Sequence, residues 1–68
     1  MIEGVVEWWQ ESLGYGAAIM EDGRSVFLHK ANVIGAIPKF GQVVEFDLYE
    51  RESSSRLIGL NIKIKERA

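Results

Sequence analysis

From Val43 onward the sequence keeps a two-residue rhythm. Val44, Phe46 and Leu48 fall on one side of an extended chain, and Glu45 and Asp47 on the other. Leu57 to Lys65 repeats the pattern, setting Ile58, Leu60, Ile62 and Ile64 against Asn61, Lys63 and Lys65. No segment sustains an apolar 3.6-residue period with caps over the roughly 10 residues a helix needs. Three further strands are predicted upstream: Ile2 to Gln10, rich in Val and Trp; Tyr15 to Met20, after a Ser-Leu-Gly turn; and Ser25 to His29, after Asp22-Gly23, a strong hairpin signal. Pro38, the single proline, lies in the irregular connection IGAIPKFG, and the polar break ESSSR, Glu52 to Arg56, reads as a loop. Five short strands in 68 residues make one domain, 1–68, with one modest core. An all-β, closed or nearly closed antiparallel barrel removes the strand edges that would otherwise invite aggregation. On pattern alone an SH3-like barrel is the main alternative.

Composition narrows the function. The sequence has no cysteine, which leaves neither a disulfide framework nor a thiolate metal site and favours a cytoplasmic home. Its apolar runs fall short of a membrane span, and MIEGVVEWW lacks the basic-then-apolar layout of a signal peptide. A net charge of −2 argues against holding duplex DNA by a blanket of positive charge. Single strands stay open, because stacking supplies much of their affinity.

The rings are placed to stack. In VFLH, Val26 and Leu28 form the natural core pair, leaving Phe27 and His29 to point outward together. In LGYGAAI, Tyr15, Ala17 and Ile19 share a face opposite Gly16, Ala18 and Met20. If Asp22-Gly23 pairs these strands, the Tyr15 face and the Phe27 face are one. Trp8 and Trp9 are adjacent, so a regular strand cannot bury both in one core. Trp8 is assigned to the outer surface, which together with a core Val6 requires a bend or bulge between them. A lone aromatic in a β-rich chain is usually core; several outward rings on neighbouring strands make a patch, and patches bind.

GVVEWW, LGYGAAI and VFLH, in this order and spacing, resemble the cold-shock domain, a family of single-stranded nucleic-acid binders. That family opens on a Gly, a Lys and a Trp-Phe pair, continues with Lys-Gly-Phe-Gly-Phe-Ile, and then has Val-Phe-Val-His. The likeness extends through GQVVEF to Leu60-Asn61-Ile62. It implies a five-stranded antiparallel OB-fold barrel, no cofactor, and a platform of Trp8, Tyr15, Phe27 and His29 with Trp9 beside it. Binding of single-stranded RNA or DNA with little sequence preference, in the manner of an RNA chaperone, is the implied activity. Glu7 and Leu13 stand where the family has lysines and make the border of the platform repel phosphate. Ala17 replaces a phenylalanine, and Lys30 the aromatic that commonly follows the histidine. Lys30, Lys39 and Arg56 are expected to restore part of the positive charge, and Phe40 or Ile37 to offer a substitute contact. Ala18 replaces a core isoleucine, so Met20 or Leu13 is expected to fill the space.

A second expectation is a diverged barrel that turns the same face to a protein partner or to a second copy in a homodimer; Glu7, Leu13, Ala17 and Ile19 favour it by making that face less basic and more aliphatic. An enzyme is not expected: the one histidine has no cysteine to work with, and no carboxylate spacing suggests a metal site or an acid–base pair.

Overall fold

The computed structural model describes residues 1–50 and 56–65. It contains β1 (Ile2–Gln10), β2 (Tyr15–Met20), β3 (Ser25–His29), a 3-10 turn (Lys30–Asn32), β4 (Val43–Glu50) and β5 (Leu57–Ile64). The strands close into a barrel in the order β1-β2-β3-β5-β4, with β4 returning to β1. This is an all-β, OB-like barrel. Apart from Arg56, the predicted loop from Glu52 lies outside the described residues.

β1, β2 and β3 form a meander. The β2–β3 turn carries Gly23 at φ 89°, a left-handed backbone that glycine adopts without side-chain strain. Across this turn Met20 N–H donates to Arg24 O at 2.8 Å and Gly23 N–H to Met20 O at 2.9 Å. Asp22 braces it, accepting from Arg24 N–H at 3.0 Å and from Arg24 Nε at 2.7 Å. The first of these bonds, aided by the second, holds the Asp22 carboxyl below the usual carboxylate range.

The expectation of a purely antiparallel barrel is corrected at one joint, where β3 and β5 run parallel through Phe27 and Ile58. Strand directions cannot alternate all the way round a closed ring of five, so at least one neighbouring pair must be parallel. An isolated parallel bridge, Val33 to Ile62, extends the joint beyond β3.

The core consists of Val6, Ala18, Met20, Val26, Leu28, Val44, Phe46, Leu57 and Ile62, with Trp9, Val33, Leu48 and Ile64 packed against it. Beside Ala18 it is Met20 that fills the interior; Leu13 is 57% exposed. The alternation expected for β5 is interrupted. Asn61 takes φ 52°, and opposite it the β4–β5 register steps from Glu45–Lys63 to Asp47–Leu60. One extra residue in a strand reverses its faces. Leu57 therefore points inward before the step and Ile62 after it, while Ile58 and Leu60, expected on one face with Ile62 and Ile64, are half-buried on the outer face. The Asn61 amide donates to Asp47 Oδ2 at 2.9 Å and ties the step to β4. Among the described residues no helix is long and apolar enough to cross a membrane.

Phe46 is the largest fully buried side chain. Removing a buried phenylalanine ring costs about 3–5 kcal/mol, against a total stability of about 3–10 kcal/mol for a chain of this length. Phe46→Ala is therefore expected to abolish most of the cooperative thermal transition followed by circular dichroism. Melting within a few degrees of the parent protein would contradict this placement of Phe46.

Candidate nucleic-acid interface

The outer face is built on a bulge in β1. Val6 pairs with Ala18, but Trp8 pairs with Ala17, so two steps along β1 match one along β2 and Glu7 is the extra residue. Val6 points into the core at 1% exposure, whereas Trp8 emerges on the outer face at 42%. The bulge required by assigning Val6 inward and Trp8 outward is present. Trp9 then pairs with Gly16 and turns to the opposite face. Rather than lying beside the platform, as expected, it is half-buried against the core rim, its Nε1 buried without a hydrogen-bond partner among the described residues.

Gly16 permits this arrangement. A β-carbon there would stand 2.3 Å from the Trp8 carbonyl oxygen, 2.8 Å from Trp9 Cε3 and 2.9 Å from Trp9 Cα. Backbone cannot yield as a flexible side-chain tip does. Gly14 serves a different purpose, ending the turn after β1 at φ 74° with its N–H donating to Gln10 O at 2.8 Å.

On the β2–β3 ladder Tyr15 faces His29 and Ala17 faces Phe27. Four rings follow one another across three strands. Trp8 and Tyr15 meet edge to face, centroids 5.8 Å apart and planes at 79°. Tyr15 to Phe27 is 5.5 Å at 38°, and Phe27 to His29 is 6.4 Å at 42°. These separations suit aromatic pairs, and Tyr15, Phe27 and His29 are each half-buried, held by their neighbours with surface still open. His29 Nδ1 accepts from Ala31 N–H at 3.0 Å and caps the 3-10 turn, which fixes the imidazole in place. Nothing in the local sequence signals this second role for His29.

The cations divide. The Arg56 guanidinium carbon lies 5.4 Å from the Phe27 ring centroid, a cation–π contact that joins it to the row. Lys30 follows His29 directly; its N–H donates to Gly14 O at 2.9 Å and its stem packs over Gly14, at the Tyr15–His29 end of the platform. Lys39 and Phe40 sit apart, in a turn closed by Lys39 N–H donating to Gln42 Oε1 at 2.7 Å. Hydrogen bonds from Gly41 N–H to Val6 O and from Val6 N–H to Gln42 O dock this turn on β1 just before the bulge. Phe40 is 78% exposed there, and Ile37 is exposed in the same connection. The three ring-to-ring contacts described join Trp8, Tyr15, Phe27 and His29, without Phe40.

Two neighbours were hidden from sequence reading. Ile58 stands opposite Phe27 on the parallel joint, and Tyr49 pairs with Ile58 from β4; only the phase reversal at Asn61 would have revealed them. Among the described residues no group of three acidic or histidine side chains gathers to hold a metal ion. No family model matches this sequence, and no curated protein matches it either.

Two outcomes test the bulge. Gly16→Ala is expected to destabilise the fold by about 3 kcal/mol, the upper end for overpacking, measured by urea unfolding; a change below about 0.5 kcal/mol, ordinary for an unconstrained site, would contradict the close approach. In Trp8→Phe the remaining Trp9 should emit at shorter wavelength and resist acrylamide, whereas in Trp9→Phe the remaining Trp8 should be readily quenched. Equal quenching of both would place the two indoles in like surroundings, against the structure.

Proposed function

We propose that this chain binds single-stranded RNA or DNA by stacking bases along the row Trp8–Tyr15–Phe27–His29, with little sequence preference and with an RNA-chaperone-like outcome. The observation that carries this reading is the row itself: four partly open rings in mutual contact on one outer face, spaced 5.5 to 6.4 Å centre to centre. Any base offers a flat face to such a surface, and each stacked base contributes about 1–3 kcal/mol whatever its identity. An unpaired strand stacked here cannot pair with another, which is how such binding melts secondary structure. Among the described residues Arg56 and Lys30 flank the row, Arg24 nearby is paired with Asp22, and Lys39 lies further off, so phosphate contacts from these residues are few and stacking dominates. The motif likeness to cold-shock domains supports the same reading, as does the OB-like barrel, a fold used for oligonucleotides. The reading assigns no catalysis and places the protein in the cytoplasm.

A second reading, docking of a protein or of another copy, draws on one observation. Exposed Val5 pairs with Ile19 on one side and Val43 on the other, beside the row. Concentration-dependent sedimentation without any response to oligonucleotide would select it.

Titrating a short oligothymidine, or an unstructured RNA, against tryptophan fluorescence tests the first reading. Quenching through Trp8 is expected, with Phe27→Ala weakening binding by about 5- to 150-fold, the equivalent of one stacked base. The salt slope should be shallow, corresponding to about one or two neutralised phosphates at roughly −0.7 each. Absence of quenching at low salt up to about 100 μM strand, a range that captures even weak binding, would overturn it.

A further inference from the structure

Beside the ring row the outer face changes character. Val5, 46% exposed, lies between half-buried Ile19 on β2 and half-buried Val43 on β4, so an aliphatic band crosses three strands. Two residues back along β1, Glu3 stands opposite Glu45 of β4, and on the other side the register Gly4–Met20 continues to Glu21. Three carboxylates therefore lie abreast along one edge of the band. Glu3 and Glu21 border an open depression of about 830 Å³ whose apolar floor includes Val5, Ile19 and Val43.

Cations do not balance this border. Glu3 is ion-paired with Lys65, which is drawn to Glu45 as well, and Asp22 is paired with Arg24. Lys63 faces Glu45 from β5 without closing an ion pair, and Glu21 has no ion-pair partner among the described residues. Of the charged side chains described along the depression, Glu3, Glu21 and Asp22 are acidic and only Arg24 is basic. Like charges opposite each other on neighbouring strands are destabilising, and Glu3–Glu45 is such a pair.

An apolar floor beside an acidic border selects its occupant. Nucleic-acid phosphates and anionic lipid headgroups are repelled by the border. In an isologous pairing a second copy offers the same acid-rich patch, with no surplus cation to set against it. An apolar stripe flanked by lysines or arginines meets both parts of the surface. We propose that this depression docks a cationic amphipathic segment of another protein, its apolar residues on Val5, Ile19 and Val43 and its cations on Glu3, Glu21 and Glu45. The inference rests on the protein-docking reading of this surface and names the partner's chemistry. It leaves the ring row open.

The probe is a peptide of leucine and lysine in helical register, about 14 residues long, titrated into isotope-labelled protein and followed by amide chemical shifts. Shifts are expected to centre on Val5, Ile19, Glu21 and Val43, away from the ring row. Raising salt should weaken binding, because exposed charges are screened beyond about 10 Å at 0.1 M. The same peptide with glutamate for lysine, or serine for leucine, should bind about tenfold more weakly, and Val5→Lys, a change outside the core, should cost a similar factor. Shifts centred on the ring row, equal affinity for the glutamate peptide, or full binding by Val5→Lys would overturn the proposal. Should Val5→Lys fail to fold, the shift map and the paired peptides decide alone. A dimer in sedimentation that Val5→Lys abolishes would keep protein docking but make the occupant a second copy, and so overturn the cationic partner. Oligothymidine quenching through Trp8 decides the single-strand reading separately, whatever the peptide does.

Discussion

Val6 and Trp8 are two residues apart and point in opposite directions, and both surfaces of the barrel depend on that reversal. In a regular strand they would share a face, and either Val6 would leave the core or Trp8 would enter it. The extra residue, Glu7, resolves the conflict, and Gly16 gives the displaced backbone somewhere to go. Everything outward follows. Trp8 comes into register with Ala17, Tyr15 closes against Trp8, and the meander hands the row on to Phe27 and His29. The inward side follows as well, since Trp9 turns over Gly16 and packs against the core.

The outer face combines weak electrostatics with ample ring surface. A chain of net charge −2 gains little from long-range attraction to phosphate, and Glu7 stands exposed at the bulge beside Trp8. Arg56 is engaged partly by Phe27, and Arg24 by Asp22. What remains is contact at short range, where dispersion and ring geometry dominate and salt has little to screen. On the single-strand reading proposed above, a surface of this kind would discriminate by flatness and accessibility, favouring unpaired bases over a duplex that keeps its rings stacked inside.

The strands were legible because each carries its own signal. Val44 and Phe46 announce the inward face of β4, and Asp22-Gly23 announces the turn that brings Tyr15 and Phe27 onto one surface. The bulge was legible only as a condition: two adjacent tryptophans and a valine could not all be satisfied by a regular strand. What escaped was information held between distant segments. Nothing near Asn61 signals that its backbone will turn left-handed and reverse the faces of Ile58 and Leu60, because alternation reads as unbroken until the register with β4 is known. The parallel joint was implied by arithmetic, five strands in a closed ring, but the residues that form it were not.

Among the described residues the joint between β3 and β5 is the shortest ladder in the barrel, a single residue pair, and one of its two members is Phe27. The meander of β1, β2 and β3 forms from neighbouring segments, whereas this joint brings together stretches far apart along the chain, a pairing that is slow to find. The barrel is therefore closed where it is thinnest by a residue that also faces the outside world. A molecule lying across Phe27 would act as a latch on that closure, and by mass action its occupancy would be felt throughout the protein as resistance to opening. Occupancy and the integrity of the barrel would then be two readings of one equilibrium.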